Sequence, residues 1–191
     1  MNIPLLHKLT PALLPLALTL HSCSHTDNSR INEADVSGAW MFRIHDEGFS
    51  GNDTIRLYRN LTFSESRSVS YSGSDSGFDF SVPFLVNIKG IWHIKNDSLW
   101  VHYDYSTLTI SIPEHKIRIS ATGNKADNQK LNVLAADMKK DLCLHVRGFV
   151  QSGYASISAD KVSLGRITDL QPYSMSISNG KIQTILKRMP Q

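Results

Sequence analysis

The sequence predicts an all-β fold with one helix, in the form of an antiparallel up-and-down barrel of about eight to ten strands. Three observations predict it. From Gly38 onward, short segments alternate apolar and polar residues, which is the period of a strand with one buried face. Turn residues separate these segments, and a single stretch has helical spacing instead. A sheet of this size is expected to close, because closure removes exposed strand edges.

Length and composition fit a small globular domain. The 191 residues suit one domain plus a short targeting segment. A hydrophobic content of 41% and a charged content of 19% exclude a disordered chain. The net charge is +3 and the basic residues are scattered. Nucleic-acid binding normally needs a concentrated basic stripe, so we expect no nucleic-acid partner.

The first 22 residues have the features of an export signal. Lys8 precedes an apolar run over residues 12–20, which matches the core of a signal peptide. A membrane-spanning helix needs about 20 apolar residues, so this run is too short to be one. We therefore expect residues 1–22 to be removed as a signal peptide.

The signal ends in Leu20-His21-Ser22-Cys23, which resembles the lipobox of bacterial lipoproteins in its relaxed Bacteroidetes form. The resemblance implies that the Cys23 thiol receives a diacylglycerol with palmitate-type chains and becomes the first mature residue. It also implies an outer-membrane lipid anchor with the protein facing the periplasm, surface exposure being the alternative. A plain secretory signal is the competing interpretation of the segment.

Residues 23–36 are expected to connect this lipidated cysteine to the folded part. They are polar and lack periodicity, which favours a flexible tether before a domain at 37–191. If Cys23 is acylated it cannot pair with Cys143, the other cysteine. Because Cys143 lies in a stretch that has the pattern of an amphipathic helix, we interpret it as a buried, unreactive thiol.

The strands are predicted from their alternating apolar residues. Pro83 interrupts one of them and, lacking an N–H donor, is expected at an edge or a bulge. The alternating residues before and after it are Trp40, Phe42 and Ile44, Ile55 and Leu57, Leu61 and Phe63, Val69 and Tyr71, Phe78, Phe80 and Val82, and Phe84, Val86 and Ile88.

Three hairpins are predicted after these strands. In the first, Asn96-Asp97 makes the turn, which places His93 opposite Trp100 and His102 opposite Ile91. Its inner face then carries Trp92, Ile94, Leu99, Val101 and Tyr103. In the second, Leu108, Ile110 and Ile112 face Ile117 and Ile119 across Pro113-Glu114. In the third, Asn179-Gly180 forms a type I′ turn.

One helix is predicted near 128–147. Its apolar residues are spaced by three and four positions, which is the spacing of a stripe on one helix face. Asp127 suits its start and Gly148 its end. The stripe is expected to pack on the barrel, and its members are Leu131, Leu134, Met138, Leu142 and Val146.

Several motifs resemble the small lipocalin-like lipoproteins of Bacteroidetes over about residues 36–112, and more loosely near the C-terminus. They are Gly38-Ala39-Trp40, Leu61-Thr62-Phe63, and the series Gly90, Trp92, Ile94, Asp97 and Leu99. The resemblance implies a lipocalin/calycin-like barrel in which Trp40 closes one end and an arginine packs over it, with Arg188 as the candidate. It also implies the binding of a small apolar molecule, or no assigned role.

No catalytic or cofactor motif is present, and we expect neither an enzyme nor a bound cofactor. His93 and His102 share one strand face, but zinc needs three or four ligands, so we favour a polar outer face and no metal. Thr54 and Ser98 lie in Asp-Thr-Ile and Asp-Ser-Leu triplets. These resemble the O-glycosylation pattern of Bacteroidetes and, as Asp-Thr and Asp-Ser pairs, suit turns.

Two functions are open at this stage. The first is a membrane-anchored envelope lipoprotein that binds a small apolar ligand in a pocket. The residues expected to line that pocket, or else to fill the barrel completely, are Trp40, Phe42, Trp92, Val101 and Tyr103. The second is a structural or adaptor component of an envelope protein complex, which an exposed patch including Trp100 would favour.

Overall fold

The structure is a computed structural model that describes residues 30–75, 77–121, 125–158 and 160–190, with side chains inside the long helix described from residue 135. The signal segment and Cys23 lie outside these residues. The elements are α1 (Glu33–Val36), β1 (Gly38–Asp46), β2 (Phe49–Leu57), β3 (Thr62–Asp75), β4 (Phe78–Lys95), β5 (Ser98–Ser111), a 3-10 turn (Glu114–Lys116), β6 (Arg118–Ala121), α2 (Lys125–Ser158), β7 (Val162–Gln171), β8 (Ser174–Ser178) and β9 (Gln183–Arg188).

The described strands form one sheet that closes into a barrel-like ring. The order is β3-β2-β1-β9-β8-β7-β5-β4-β6, and β3 also pairs with β4, so every strand except β6 belongs to the ring. All of these pairings are antiparallel, and most join strands that are neighbours in sequence. The prediction of an all-β, closed, up-and-down sheet with one long helix is therefore confirmed.

The predicted alternation accounts for the core. Along β4, every second residue from Phe80 to Ile88 is buried, and Trp92 and Ile94 resume the pattern. The inner face of the ring is consequently apolar along most strands, and burial of apolar surface is the main force that holds such a sheet closed. Pro83 has Ser70 of β3 as its partner on one side. On the other side it lies between the part of β4 that pairs with β6 and the part that pairs with β5, where its missing donor is tolerated.

Trp40 packs under Arg188, the contact that the family resemblance implies. It is fully buried, and its indole nitrogen donates to the carbonyl of Val36 at 2.7 Å. The Arg188 guanidinium carbon lies 4.4 Å from the centre of the Trp40 ring, a cation–π contact. Gly38 has φ of +143°, and a Cβ there would lie 3.2 Å from Arg188 Nη1, so the glycine of Gly-x-Trp makes room for this stack.

Residues 30–36 belong to the folded domain, not to the flexible tether expected over 23–36. Oδ1 of Asp97 accepts hydrogen bonds from the backbone amides of Arg30 (2.7 Å) and Ile31 (3.1 Å). Glu33 Oε1 accepts one from the amide of Ile94. Asp97 of the β4–β5 turn thus satisfies backbone donors of this segment, and Glu33 of the segment satisfies a backbone donor of β4.

The first predicted hairpin is confirmed in register. β4 ends at Lys95 and β5 begins at Ser98. Asn96 and Asp97 both have positive φ, 52° and 57°, as a type I′ turn requires. His93 lies opposite Trp100, and their rings stack with centroids 6.3 Å apart.

The second predicted hairpin is wrong. β6 does not fold back on β5; it pairs with residues 78–81 of β4, along the same edge that β5 occupies further on. The 3-10 turn therefore shifts the chain sideways without reversing it. The apolar alternation is the same for both arrangements, so the pattern cannot distinguish them.

The third hairpin is present, but its turn differs. Ser178 pairs with Gln183, so residues 179–182 form the loop and Asn179-Gly180 is not a two-residue type I′ turn. The Asn179 side chain accepts hydrogen bonds from the amides of Lys181 (3.1 Å) and Ile182 (2.9 Å). Asparagine thus stabilises the turn through its side chain.

The predicted helix is present and longer than expected, because α2 continues past Gly148 to Ser158. The apolar stripe also continues, through Leu142, Val146, Val150, Tyr154 and Ile157, all buried. Each step of four residues turns the stripe by about 40° around the helix, so the buried face winds from one side to another. No helix in the described ranges is long and apolar enough to cross a membrane.

The helix lies where the ring is incomplete. Over the described strands, β5 pairs with β7 only from Ser98 to Val101. α2 packs mainly on β5 beyond that point and reaches the β1–β2 end, where the rings of Phe149 and Phe49 stack 6.0 Å apart. The helix thus covers the part of β5 that does not pair with β7.

Gly148→Ala tests the observed helix length. Nothing lies within 4 Å of a Cβ at Gly148, so alanine should raise the free energy of unfolding by about 0.5–1 kcal/mol through its higher helix propensity. Gly90→Ala is the contrasting variant and should destabilise, because its Cβ would lie 2.6 Å from Phe63 Cε1. Urea unfolding measures both. Destabilisation by Gly148→Ala would mean that the helix ends there after all.

Candidate functional site

A cleft lies on the outer face of β3, β4 and β5, where β5 makes a large bulge. Lys89 of β4 pairs with Asp104, but Asn87 pairs with Thr109, so residue 88 alone faces residues 105–108. The bulge has its own hydrogen bonds. Asp104 Oδ1 accepts from the amide and hydroxyl of Ser106 at 3.1 and 2.6 Å, and Thr107 Oγ1 accepts from the Lys89 amide at 2.8 Å.

The cleft next to this bulge has a volume of about 850 Å³. Two rows of outward side chains form its surface, and each row crosses the three strands in register. One row is Ser64, Lys89 and Asp104, and the other is Thr62, Ile91 and His102. The volume falls in the range typical of small-molecule sites.

Between the two outer rows lies an inner row, Phe63, Gly90 and Tyr103, which also lines the cleft. Gly90 carries no side chain, so the Phe63 and Tyr103 rings meet edge to face across it, with centroids 5.4 Å apart. The cleft floor is therefore made of core residues. Aromatic pairs in this arrangement add stability beyond the area they bury.

The rim is fixed by the neighbouring turn. Trp92, buried in the core, donates from its indole nitrogen to the carbonyl of Tyr58 at 3.0 Å. Its amide donates to the carbonyl of Leu61 at 2.8 Å. These bonds hold Tyr58 at one side of the cleft, while Tyr105 of the bulge and Ser158 at the end of α2 line other parts.

The lining is amphipathic. Hydroxyl groups are numerous, and one ammonium, one carboxylate and one imidazole are present, from Lys89, Asp104 and His102. Apolar surface comes from Ile91, which is 50% exposed, and from the rings of Tyr58 and Tyr105, 46% and 41% exposed. Such a surface can bind a molecule that has both polar and apolar parts.

Behind the cleft floor lies a buried charge cluster, made of Asp53, Glu65, Arg67, Tyr103 and Tyr154. Arg67 Nη2 lies 2.7 Å from Asp53 Oδ2 and 2.8 Å from Glu65 Oε1. The hydroxyls of Tyr103 and Tyr154 donate to Glu65 at 2.9 and 2.6 Å. The cluster ties β2, β3, β5 and α2 together.

The cluster has two carboxyl groups for one guanidinium. Burial raises the pKa of the Asp53 carboxyl to about 7, against the opposing effect of Arg67. Burial by itself would lower the pKa of Arg67, but the nearby Asp53 and Glu65 outweigh burial and raise the pKa above its usual value. The guanidinium therefore stays charged. Among the described residues, Asp53 Oδ1 has no hydrogen-bond partner. The pKa of Asp53 therefore lies near neutral pH, and below it the protonated, neutral form of this buried carboxyl is favoured.

The predicted pocket residues lie mostly in the packed interior. Trp40, Trp92, Val101 and Tyr103 are buried, and Phe42 is half-buried against the same core. Of these five, Tyr103 lines the cleft. They are brought together as core residues, and the function assigned to them stays a prediction.

The predicted glycosylation residues are both half-buried. Ser98 follows the β4–β5 turn as expected. Thr54 does not lie at a turn; it is in the middle of β2 and pairs with Met41 and Ser66. The turn expected at Thr54 is therefore absent, and the glycosylation of Thr54 stays a prediction.

Among the described residues, no three His, Cys, Asp or Glu side chains are grouped to hold a metal. Cys143 is half-buried, and burial raises the pKa of its thiol, which favours the protonated, less reactive form.

Sequence reasoning missed Glu65 and Arg67. The signal was available, because both have the strand parity of Phe63, Val69 and Tyr71, which alternation places inside. Charged residues at inward positions break the apolar pattern and indicate a buried ion pair. The bulge left no such signal, since Tyr105 to Leu108 continue a strand-like sequence.

No protein-family model matches the chain, and comparison with curated proteins gives no match. The site is therefore interpreted from its own geometry.

Asp53→Asn tests the buried charge cluster. The folded-state pKa of Asp53 is about 7 and the unfolded value is 3.8, so the folded protein holds a proton that the unfolded chain has lost between these pH values. Wild-type stability should thus fall relative to the variant by roughly 1–3 kcal/mol as the pH rises from 5 to 8.5.

Urea unfolding at pH 5, 7 and 8.5 measures this difference. Asp169→Asn, a change at an exposed aspartate of β7, is the control and should keep the wild-type pH dependence. Parallel pH curves for wild type and Asp53→Asn would show that Asp53 does not titrate in this range.

Proposed function

We propose that the protein is a bacterial envelope lipoprotein that binds a small amphipathic ligand in the cleft on the outer face of β3, β4 and β5. The observation that carries this proposal is the cleft of about 850 Å³ with its core-backed floor and its mixed lining. Concave sites of this size with a few placed polar groups are typical of ligand binding.

The lipid anchor in this proposal rests on sequence. Leu20-His21-Ser22-Cys23 resembles a lipobox, and the short apolar run before it fits an export signal. The resemblance to lipocalin-like lipoproteins is supported by the closed antiparallel sheet and by the stacking of Arg188 on Trp40, which that family implies.

The outer cleft is a better ligand site than the barrel interior. The interior residues expected to line a pocket pack against one another and against the buried charge cluster. An apolar ligand placed there would need to displace well-packed side chains, which is costly. The cleft needs no such displacement, and its polar groups favour an amphipathic molecule over a purely apolar one.

An exposed aromatic patch that includes Trp100 would favour the adaptor alternative, since such patches mark contact surfaces. Trp100 is half-buried and stacks on His93. The cleft therefore favours ligand binding as the proposed function.

The lipid anchor is tested by Cys23→Ala. We expect the wild-type protein, expressed in its host, to lose residues 1–22 and to carry a diacylglycerol on Cys23, so that it fractionates with membranes. The variant should lack the lipid mass and leave the membrane fraction. Intact-mass measurement and metabolic labelling with an alkyne fatty acid report both; unchanged labelling of the variant would exclude Cys23 as the acceptor.

Ligand binding is tested by native mass spectrometry of the full chain, released from host membranes in detergent. A discrete adduct that is lost on denaturation should appear in the wild type. Ile91→Ser removes apolar surface from the cleft and should weaken the affinity for the ligand about tenfold, which lowers the occupancy of the adduct.

Ile185→Ser is the matched control, because Ile185 is 59% exposed on β9 and does not line the cleft. It should keep the adduct. A bare polypeptide mass in the wild type, or equal loss in both variants, would count against a ligand held in the cleft.

A further inference from the structure

The cleft holds two opposite charges that face each other without forming an ion pair. Lys89 and Asp104 are directly opposed in the β4–β5 register and lie on the outer face of the sheet. Opposite charges at such positions attract each other. Over the described ranges, however, no ion pair joins Lys89 to Asp104.

The bulge explains why the pair does not form. Asp104 Oδ1 accepts hydrogen bonds from the amide and the hydroxyl of Ser106, which turns the carboxylate toward the bulge. Asp104 and Lys89 are both exposed, and both line the cleft. The sheet thus presents a positive group and a negative group side by side, with no ion pair between them.

Apolar surface adjoins both charges. Ile91 is two residues from Lys89 on the same face, and the rings of Tyr58 and Tyr105 line the same cleft. Hydroxyl groups of Thr62 and Ser64 on β3 supply neutral hydrogen-bonding partners beside them. The lining therefore combines one positive group, one negative group, apolar faces and neutral donors and acceptors.

We propose that the ligand of this cleft is a short zwitterionic peptide with an apolar or aromatic side chain, an inference that rests on the function proposed above. Its carboxylate binds the Lys89 ammonium, its terminal ammonium binds Asp104 Oδ2, and its apolar side chain packs on Ile91 and the tyrosine rings.

The dimensions agree with this assignment. Lys89 and Asp104 lie on neighbouring strands, about 5 Å apart at the backbone, and the flexible four-carbon stem of Lys89 can widen the separation of the two charges. A peptide of two or three extended residues spans about 7–10 Å. An amphiphile with a single charge would use one of the two sites and leave the other unsatisfied.

The test uses the full chain in detergent micelles and a pool of tripeptides with a central phenylalanine and free termini. Titration followed by native mass spectrometry compares this pool with N-acetylated and C-amidated pools. We expect each blocking group to weaken binding to the wild type by about tenfold or more, because each removes one charge-assisted contact.

Two variants assign the ends of the peptide. Lys89→Met should bind weakly and should no longer distinguish amidated from free peptide. Asp104→Asn keeps an oxygen for the Ser106 hydrogen bonds and should no longer distinguish acetylated from free peptide. The matched controls are Lys95→Met on β4 and Asp169→Asn on β7, both at exposed positions outside the cleft lining, which should behave as the wild type.

Each contrary result has a separate meaning. If blocked and free pools bind equally, the zwitterionic inference is wrong. If no peptide binds but the host adduct is present and depends on Ile91, the peptide inference fails and the proposed function stands. If neither peptide nor adduct is found, both fail. Far-ultraviolet circular dichroism confirms that each variant is folded before it is compared.

Discussion

The placement of one guanidinium inside an apolar ring is the interaction on which the rest of the structure depends. Arg67 projects inward from β3 and is buried, so it must be paired. Asp53 on β2 and Glu65 on β3 pair with it, and Tyr103 and Tyr154 satisfy Glu65. Loss of Arg67 would leave two carboxyl groups without their counter-charge in a low-dielectric interior, which costs several kcal/mol. The cluster therefore fixes how β2, β3, β5 and α2 fit together.

The position of α2 follows from this cluster and in turn shapes the outer surface. Tyr154 reaches Glu65 only if the helix enters the seam where β5 has separated from β7. Beyond Val101, β5 then has β4 on one side and the helix on the other. Its chain bulges after Asp104 and rejoins β4 at Thr109, and this departure creates the cleft wall. A buried ionic contact and an exposed cleft are thus consequences of one arrangement.

Much of the fold could be predicted because it is encoded in local patterns. Period-two alternation fixes which face of β4 is buried, and Asn96-Asp97 fixes the register that sets His93 against Trp100. Helical spacing found α2, but not its end, because Gly148 is compatible with an exposed helix interior when packing beyond it continues. The pairing of β6 with β4, the bulge of β5 and the cleft depend on non-local contacts. Alternation in one segment carries no information about which partner it meets.

The contrast between the interior and the cleft also explains why an outer site suits this fold. Phe63 and Tyr103 form the cleft floor from within, and Tyr103 is held by Glu65, which is held by Arg67. A floor supported in this way is rigid before any ligand arrives, so little conformational entropy is lost there on binding. The same side chains pack together inside the ring, where they contribute to the stability of the fold. The two outer rows of side chains, which lie on the other face of that floor, are exposed or half-buried and would make the contacts with the proposed ligand.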